Sequence, residues 1–387
     1  MTKKFKIFSS ISAWLCLLAY GVTMTTTHAC NSEIAKSYNL SNTQMGCMYM
    51  CLYLGFFFSS ILTGQIADKK GKLLIISFGI FIMALGLVLF PLTHNFILGM
   101  VAFALMGIGG GANETNVTGY IGDIWEGKRR VQMMNWTQTA FAFGAFLGPV
   151  LTGFVLKYTN NFRLSFYLAF SVAICGFIMI LFSKAFKQEI ITGENKITPW
   201  KYILCDKYII LMMLCLMFYC GMESGFSEWA SVYYNDILGV NSVVSAQSVG
   251  LFWIGLSFGA FVFGNISKFM TREKMVVFAC LGIIVCFSLW MIKIPLMAFV
   301  CSFWIGFFLG PVFGTCLGMG SEKLKEHSGA VTSVLFGGAY IGGAFFPAAI
   351  GTFADIFSID KSIMIIPYLA CGIILCVVYA TVRVKKG

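Results

Sequence analysis

The sequence predicts an all-α membrane protein of twelve transmembrane helices, arranged as two pseudo-symmetric six-helix halves. Its 387 residues are 58% hydrophobic and only 11% charged, whereas a soluble domain normally carries about 25% charged residues. Apolar stretches long enough to cross a bilayer, which takes about 20 residues, recur along the whole chain. A surface with so little charge cannot be covered by water, so lipid is the expected solvent.

Short polar segments, many of them basic, separate the apolar stretches and set the limits of each predicted helix. The twelve predicted spans are 7–27, 44–66, 73–92, 96–121, 131–156, 163–186, 208–234, 245–268, 275–293, 295–319, 328–354 and 362–382.

The basic residues indicate the orientation. With the N-terminus in the cytoplasm, 22 of the 27 Lys and Arg residues fall on the cytoplasmic side. The five that remain outside are Lys36, Lys157, Arg163, Lys293 and Lys361. Because cytoplasmic loops of membrane proteins carry the excess of positive charge, both termini are predicted to be cytoplasmic in a cell (inner or plasma) membrane. Topology also explains the net charge of +11, so no nucleic-acid partner is predicted.

The longest polar stretch between spans follows span six and divides the chain. We predict an N-terminal half over 1–186, a cytoplasmic linker over 187–207 and a C-terminal half over 208–387. Landmarks in the two halves coincide at a nearly constant offset of about 200 residues. They are Gly21 with Gly221, Gly55 with Gly255, Gly64 with Gly264, Pro149 with Pro347 and Gly153 with Gly351. Parallel repeats of this kind are typical of secondary transporters.

The sequence contains no pattern typical of an enzyme. It lacks the nucleophile elbow G-x-S-x-G, the phosphate-binding P-loop and any zinc-ligand spacing. We therefore expect no catalytic residue, no metal and no organic cofactor. Without a nucleotide site, the energy for transport must come from a gradient of solute or ion.

A motif lies between spans two and three. Residues 64–72 read G-Q-I-A-D-K-K-G-K and resemble the G-x-x-x-D-x-x-G-[RK] loop of the major facilitator superfamily at every fixed position. The resemblance covers essentially the whole chain. Gly64, Asp68, Gly71 and Lys72 are predicted to form a conformational latch, because small residues let helices approach closely and charges can pair with helix ends. The alternative is a solvated basic loop that only maintains topology.

Two further segments resemble the fucose/galactose/glucose symporter family within that superfamily. Residues 109–115 resemble its G-x-G-x-x-E-T on helix four, and Tyr219-x-Gly221-x-Glu223, continuing to Trp229, resembles its Y-V-G-x-[EQ]…W on helix seven. Thr118 and Asn113 depart from the family pattern. The resemblance implies symport of a neutral sugar or polyol with a coupling ion, either H⁺ or Na⁺, by alternating access around a central cavity.

Glu114 is the predicted coupling residue. A carboxylate at membrane depth costs about 2.5–3.5 kcal/mol on insertion scales, so it is usually functional. Glu114 lies in span four and is expected to bind and release the proton. The alternative is a protonated glutamate that ties two helices together by hydrogen bonds.

A second carboxylate, Glu223, is predicted to bind solute in span seven. It can accept sugar hydroxyls while aromatic faces cover the apolar side of the ring; gating or helix pairing is the alternative. The other predicted solute-binding residues are Asn113, Asn135, Gln138, Trp229, Gln247 and Tyr340. For Asn135 and Gln138, contacts between helices remain an equal possibility.

Span five keeps a second function open. Gly144-x-x-x-Gly148 is followed by Pro149 and Gly153, which partly resembles the helix-five signature of drug/proton antiporters. The alternative function is therefore proton-driven export of amphipathic compounds. In either case the expected partners are a small-molecule substrate and the lipid bilayer, and the chain is expected to be a monomer.

Overall fold

The computed structural model describes residues 3–125, 127–184, 203, 205–266, 269–321, 323 and 328–384. Helices account for nearly all of this part of the chain. They are α1 (Lys3–Ala29), α2 (Asn31–Tyr38), α3 (Asn42–Lys70), α4 (Lys72–Leu92), α5 (Phe96–Ile124), α6 (Gly127–Thr159), α7 (Arg163–Lys184), α8 (Lys207–Asp236), α9 (Ser242–Ile266), α10 (Arg272–Trp290), α11 (Pro295–Ser321), α12 (Ser328–Ile356), α13 (Ile359–Ser362) and α14 (Ile365–Tyr379).

Twelve helical segments in the described residues are long and apolar enough to cross a membrane. This confirms the predicted fold class and the number of spans, and it makes the chain a multi-pass membrane protein. The limits agree to within a few residues: span four was predicted over 96–121, and α5 covers Phe96–Ile124. The short helix α2 has eight residues and was not predicted.

The helices form two compact units. The first comprises Met1–Leu40 and Cys47–Glu194, and the second comprises Ser41–Gly46 and Asn195–Gly387. The predicted linker over 187–207 lies mostly outside the described residues, so the division into 1–186, 187–207 and 208–387 stays a prediction.

The first residues of α3, up to Gly46, belong to the second unit. There the carboxylate of Asp355 accepts hydrogen bonds from the backbone N–H groups of Asn42 and Thr43 at 2.9 and 2.7 Å.

The predicted loop between spans two and three is almost entirely helical. Residues 64–70 continue α3, and the chain then turns at Gly71 before α4 begins at Lys72. Gly71 has φ 92°, a left-handed conformation that glycine adopts without the steric cost that a Cβ brings. A single glycine therefore makes the turn that the sequence suggested as a nine-residue loop.

Glycines on α6 and α12 show the internal repeat in packing. A Cβ on Gly144 would collide with the backbone carbonyl of Leu18 on α1, and a Cβ on Gly342 would collide with that of Met217 on α8. The two glycines are 198 residues apart, and the two carbonyl residues are 199 apart. Each unit therefore packs its first and fifth spans together in the same way, as close approach through small residues allows.

Candidate functional site

In the first unit, Glu114 meets a tyrosine from a different helix. Its side chain is partly buried on α5, and the hydroxyl of Tyr20 on α1 donates to Glu114 Oε2 at 3.4 Å. This hydrogen bond is long, since O–H···O distances usually lie near 2.7–2.8 Å. The carboxylate predicted to carry the proton is thus linked to α1 by a phenol that the sequence analysis did not single out.

The ring of Tyr20 is held by neighbouring aromatic side chains. It packs edge-on against Phe56 of α3, with ring centroids 5.4 Å apart, and its ring is tilted against that of Phe141 on α6 at 5.2 Å. Gly110 on α5 leaves room for this arrangement: a Cβ there would lie 2.6 Å from Cε1 of Phe56 and 2.7 Å from Cε2 of Tyr20. Four helices therefore fix one phenol beside the carboxylate.

The other glycines of the run that precedes Glu114 bring α5 close to two neighbouring helices. A Cβ on Gly111 would lie 2.6 Å from the carbonyl oxygen of Phe56 on α3. A Cβ on Gly109 would collide with the carbonyl of Gly79 on α4. Each glycine of the triplet serves a different contact, which explains why the run is uninterrupted.

The two asparagines beside Glu114 face other helices. Asn113 is fully buried; its amide donates to the carbonyl of Gly109 at 3.0 Å and lies against Gly79 of α4. The amide of Asn116 donates to Thr63 Oγ1 on α3 at 3.0 Å. Asn113, predicted to bind solute, is thus packed between α5 and α4, and Asn116 ties α5 to α3.

Two predicted solute residues lie on α6 without described side chains. Asn135 and Gln138 are helical and three positions apart, so they can share a face of α6. Their side chains are outside the described residues, and their role stays a prediction.

In the second unit, Glu223 also accepts a hydrogen bond from a tyrosine hydroxyl. Tyr219 lies one turn earlier on α8, and its hydroxyl donates to Glu223 Oε1 at 2.8 Å. Glu223 itself is partly buried. The pair is local to one helix, because residues four apart share a helix face.

An aromatic row extends from this pair and includes a predicted residue. The ring of Tyr219 lies 5.3 Å from that of Phe313 on α11, which lies 5.6 Å from Phe336 on α12. Phe336 in turn lies 6.0 Å from Tyr340. The structure therefore brings Glu223 and Tyr340 to the two ends of one row, in which Phe313 and Phe336 are partly exposed.

Two other predicted solute residues lie elsewhere in the second unit. Trp229 is fully buried, and its indole N–H donates to the carbonyl of Pro347 on α12 at 3.0 Å. Gln247 has an exposed side chain on α9. Trp229 therefore ties α8 to α12, and the structure places neither side chain in the aromatic row.

The predicted latch contains one ion pair that the structure describes. Lys72 Nζ lies 2.6 Å from Asp123 Oδ2 and joins the start of α4 to the end of α5. Asp123 was not among the predicted latch residues. Its position as an acidic residue at the polar end of span four is the sequence signal that could have identified it. Both side chains are partly exposed, so the pair contributes about 0–1 kcal/mol. The side chain of Asp68 is outside the described residues, and Gly64 lies within α3.

No group of three or more His, Cys, Asp and Glu side chains in the described part of the chain could hold a metal ion. Each unit contributes one carboxylate to the predicted site residues, Glu114 in the first unit and Glu223 in the second. Each is contacted by a phenol that can donate a hydrogen bond, and one lies beside aromatic faces.

Comparisons with known proteins agree with this fold. The sequence model of the Major Facilitator Superfamily matches residues 11–347. The glucose/mannose transporter GlcP of Bacillus subtilis is 22% identical over 347 residues, which are 86% of this chain and 84% of that protein. The quinolone resistance protein NorA of Staphylococcus aureus is 26% identical over 255 residues, which are 64% of each chain.

Solved structures give the same architecture. A bacterial homologue of the human lysosomal transporter Spinster superposes with a TM-score of 0.80 at 14% identity, covering 100% of this chain and 98% of that one. The nucleoside transporter NupG superposes with a TM-score of 0.79 at 11% identity, covering 97% and 99%. At such low identity these similarities concern the fold alone.

Proposed function

The chain belongs to the Major Facilitator Superfamily, and we propose that this transporter takes up a neutral sugar or related polyol together with a cation, H⁺ in the first instance and Na⁺ as the alternative. The observation that carries the proposal is the carboxylate of Glu223, which is held by Tyr219 at one end of an aromatic row. The proposed location is the cell membrane, with both termini in the cytoplasm.

The chemistry of the second unit suits a sugar ring. A carboxylate accepts hydrogen bonds from two hydroxyls and forms the stronger, charge-assisted type. The partly exposed rings of Phe313 and Phe336 extend from Tyr219, which bonds this carboxylate, and such faces can cover the C–H side of a pyranose. Solute sites typically combine apolar walls with a few well-placed polar groups, and the grouping of Glu223 with these rings supports the proposal on that ground.

The proposed coupling residue is Glu114 in the first unit. Binding of a cation neutralises its charge and lowers the cost of enclosing the carboxylate in a low-dielectric site. A gradient can then drive solute uptake if loaded and empty carriers favour different access states, because a ligand shifts an equilibrium only through its differential affinity. The similarity to a glucose/mannose transporter supports a sugar as the solute and leaves the coupling residue to experiment.

A reconstitution experiment tests the proposal. Purified protein in liposomes is screened for uptake of glucose, mannose, fucose, galactose and polyols under an inward proton gradient, with sodium varied separately. We expect accumulation that a protonophore abolishes. Accumulation that depends on a sodium gradient would identify Na⁺ instead of H⁺ as the coupling ion. The absence of sugar movement in either gradient would refute the sugar assignment.

A matched pair of variants tests the proposed solute residue. Glu223→Gln is expected to raise the KM for the transported sugar at least tenfold, because it removes a charge-assisted hydrogen bond worth about 1.5–3 kcal/mol. Glu228→Gln is the control: Glu228 lies on the same helix but is fully buried, and the proposal gives it no solute contact. Equal effects on KM in both variants would remove Glu223 from the site.

Export of amphipathic cations is the second candidate. The similarity to a quinolone resistance protein favours it, and a carboxylate beside aromatic rings also attracts an organic cation. Direction of transport separates the two functions. An exporter would confer resistance on cells and lower their content of a fluorescent cation, and it would leave sugar uptake unchanged.

A further inference from the structure

Each unit contains a carboxylate that accepts a hydrogen bond from a tyrosine on its first membrane span. In the first unit the donor is Tyr20 and the acceptor Glu114; in the second the donor is Tyr219 and the acceptor Glu223. Tyr219 begins the sequence segment that resembles the symporter family, whereas no sequence pattern pointed to Tyr20.

The two tyrosines occupy equivalent positions of the internal repeat. Gly144 contacts the carbonyl of Leu18, and Gly342 contacts that of Met217. Each tyrosine lies two residues after its contacted carbonyl, and the two are 199 residues apart. The same offset of 199 residues therefore relates the two contacted carbonyls and the two tyrosines. Tyr20 and Tyr219 are thus equivalent residues of the internal repeat.

The acceptors, in contrast, are not equivalent. Glu223 lies on the same helix as its tyrosine, whereas Glu114 lies 94 residues from Tyr20 on another helix. The hydrogen bond in the first unit therefore links α1 to α5. Its donor is fixed, because the rings of Phe56 and Phe141 pack around Tyr20.

We propose that Tyr20 is a positioning residue for proton coupling: its hydroxyl holds the Glu114 carboxylate in place and stabilises the charged form. The inference rests on the proposed coupling role of Glu114. A donor to an ionised carboxylate favours that form over the protonated acid. Loss of the hydroxyl makes Glu114 retain its proton to a higher pH and slows its release.

Polar and ionisable groups also lie on the helices that pack against α5. On α4, Lys72 is engaged by Asp123 near the far end of α5. On α3 the hydroxyl of Ser59 lies against Gly111, and that of Thr63 accepts a hydrogen bond from Asn116. The basic side chains at the start of α6 are outside the described residues.

Infrared titration of the purified full-length protein in liposomes tests the inference without any solute. The carboxyl C=O band of Glu114 is identified as the band that Glu114→Gln removes, and its intensity is followed against pH. In Tyr20→Phe we expect its midpoint to move up by about half a pH unit to one pH unit. This shift is smaller than the roughly one to two pH units of an ordinary hydrogen bond to a charged group, because the contact is long.

The matched control is Tyr219→Phe, which removes the equivalent hydroxyl of the other unit. It should leave the midpoint of the Glu114 band unchanged. If Tyr20→Phe titrates like wild type, if both variants shift the band equally, or if Glu114→Gln removes no titrating band, the inference is overturned. If Tyr20→Phe does not fold, wild-type protein labelled with 3-fluorotyrosine, a more acidic donor, should shift the band to lower pH, and an unchanged midpoint would overturn the inference.

Failure of this inference is distinguishable from failure of the proposed function. Gradient-driven accumulation by Glu114→Gln would refute the coupling role directly. Loss of accumulation in Glu114→Gln, combined with an unchanged midpoint in Tyr20→Phe, would retain the function and overturn only the role of Tyr20.

Discussion

Replacing Gly110 by alanine is expected to destabilise the first unit and to displace Tyr20 from Glu114. The added Cβ would lie 2.6 Å from Phe56 and 2.7 Å from Tyr20, both nearer than real Cβ contacts. Both neighbours are buried aromatic rings, so neither can move away at low cost. Forcing an extra carbon into a packed core typically costs about 1–3 kcal/mol.

The size of the thermal effect follows from the size of the unit. If a six-helix unit of about 190 residues melts cooperatively, each kcal/mol corresponds to about 2–4 °C. Gly110→Ala should therefore lower the apparent melting temperature by about 2–12 °C. The assay is detergent-solubilised protein heated in steps and analysed by fluorescence-detected gel filtration. The infrared band of Glu114 gives a second readout and should shift in the same direction as in Tyr20→Phe.

Gly314→Ala is the matched control for a glycine in a membrane span. A Cβ on Gly314 would meet no atom within 4 Å, and alanine favours helix over glycine by up to about 1 kcal/mol. This variant should melt at or above the wild-type temperature. A Gly110→Ala protein that melts with wild type and keeps the wild-type titration would refute the packing described around Tyr20.

Three further predictions concern the same molecule. Asn116→Ala removes the amide that bonds Thr63 and should lower the apparent stability by about 1 kcal/mol, as measured by the same gel-filtration assay; an unchanged melting curve would contradict it. Glu114→Gln should keep solute counterflow and lose accumulation driven by a proton gradient, as measured with radiolabelled sugar in liposomes. Burial raises the pKa of the Cys30 thiol to about 12, so at pH 8 only about one Cys30 thiol in ten thousand is ionised. Mass spectrometry after maleimide treatment should therefore find Cys30 unmodified and the exposed Cys205 modified. Rapid labelling of Cys30 would disprove its burial.

The spans were predictable because they depend on local composition. A run of apolar residues must be long enough to cross the lipid, and that length can be read without knowing any contact. The limits between spans two and three were not predictable in the same way. Charged residues such as Lys69 and Lys70 suggest a loop, yet lysine is a good helix former, and α3 continues to Lys70 until Gly71 permits the turn.

The candidate site was predictable only where a residue is anomalous in its surroundings. Glu114 and Glu223 stand out because carboxylates are rare in apolar spans. Tyr20 does not, since tyrosine is common in such helices and its contact depends on packing between residues 94 positions apart. Trp229 was associated with Glu223 by sequence proximity, but six residues turn a helix by about 240°, which directs the indole away from Glu223 and toward Pro347.

The difference between the two tyrosine–carboxylate pairs supports the division of roles between the units. Tyr219 and Glu223 lie on one helix, so their hydrogen bond survives any rigid movement of α8 and can present a constant surface to a solute. Tyr20 and Glu114 lie on two helices, and a contact of 3.4 Å lengthens or tightens when α1 and α5 shift by a fraction of an ångström. A proton-binding group that drives a conformational cycle must interact differently in its two states. Of the two pairs, the one that bridges α1 and α5 meets this requirement, which is why we propose coupling at Glu114 and solute recognition at Glu223.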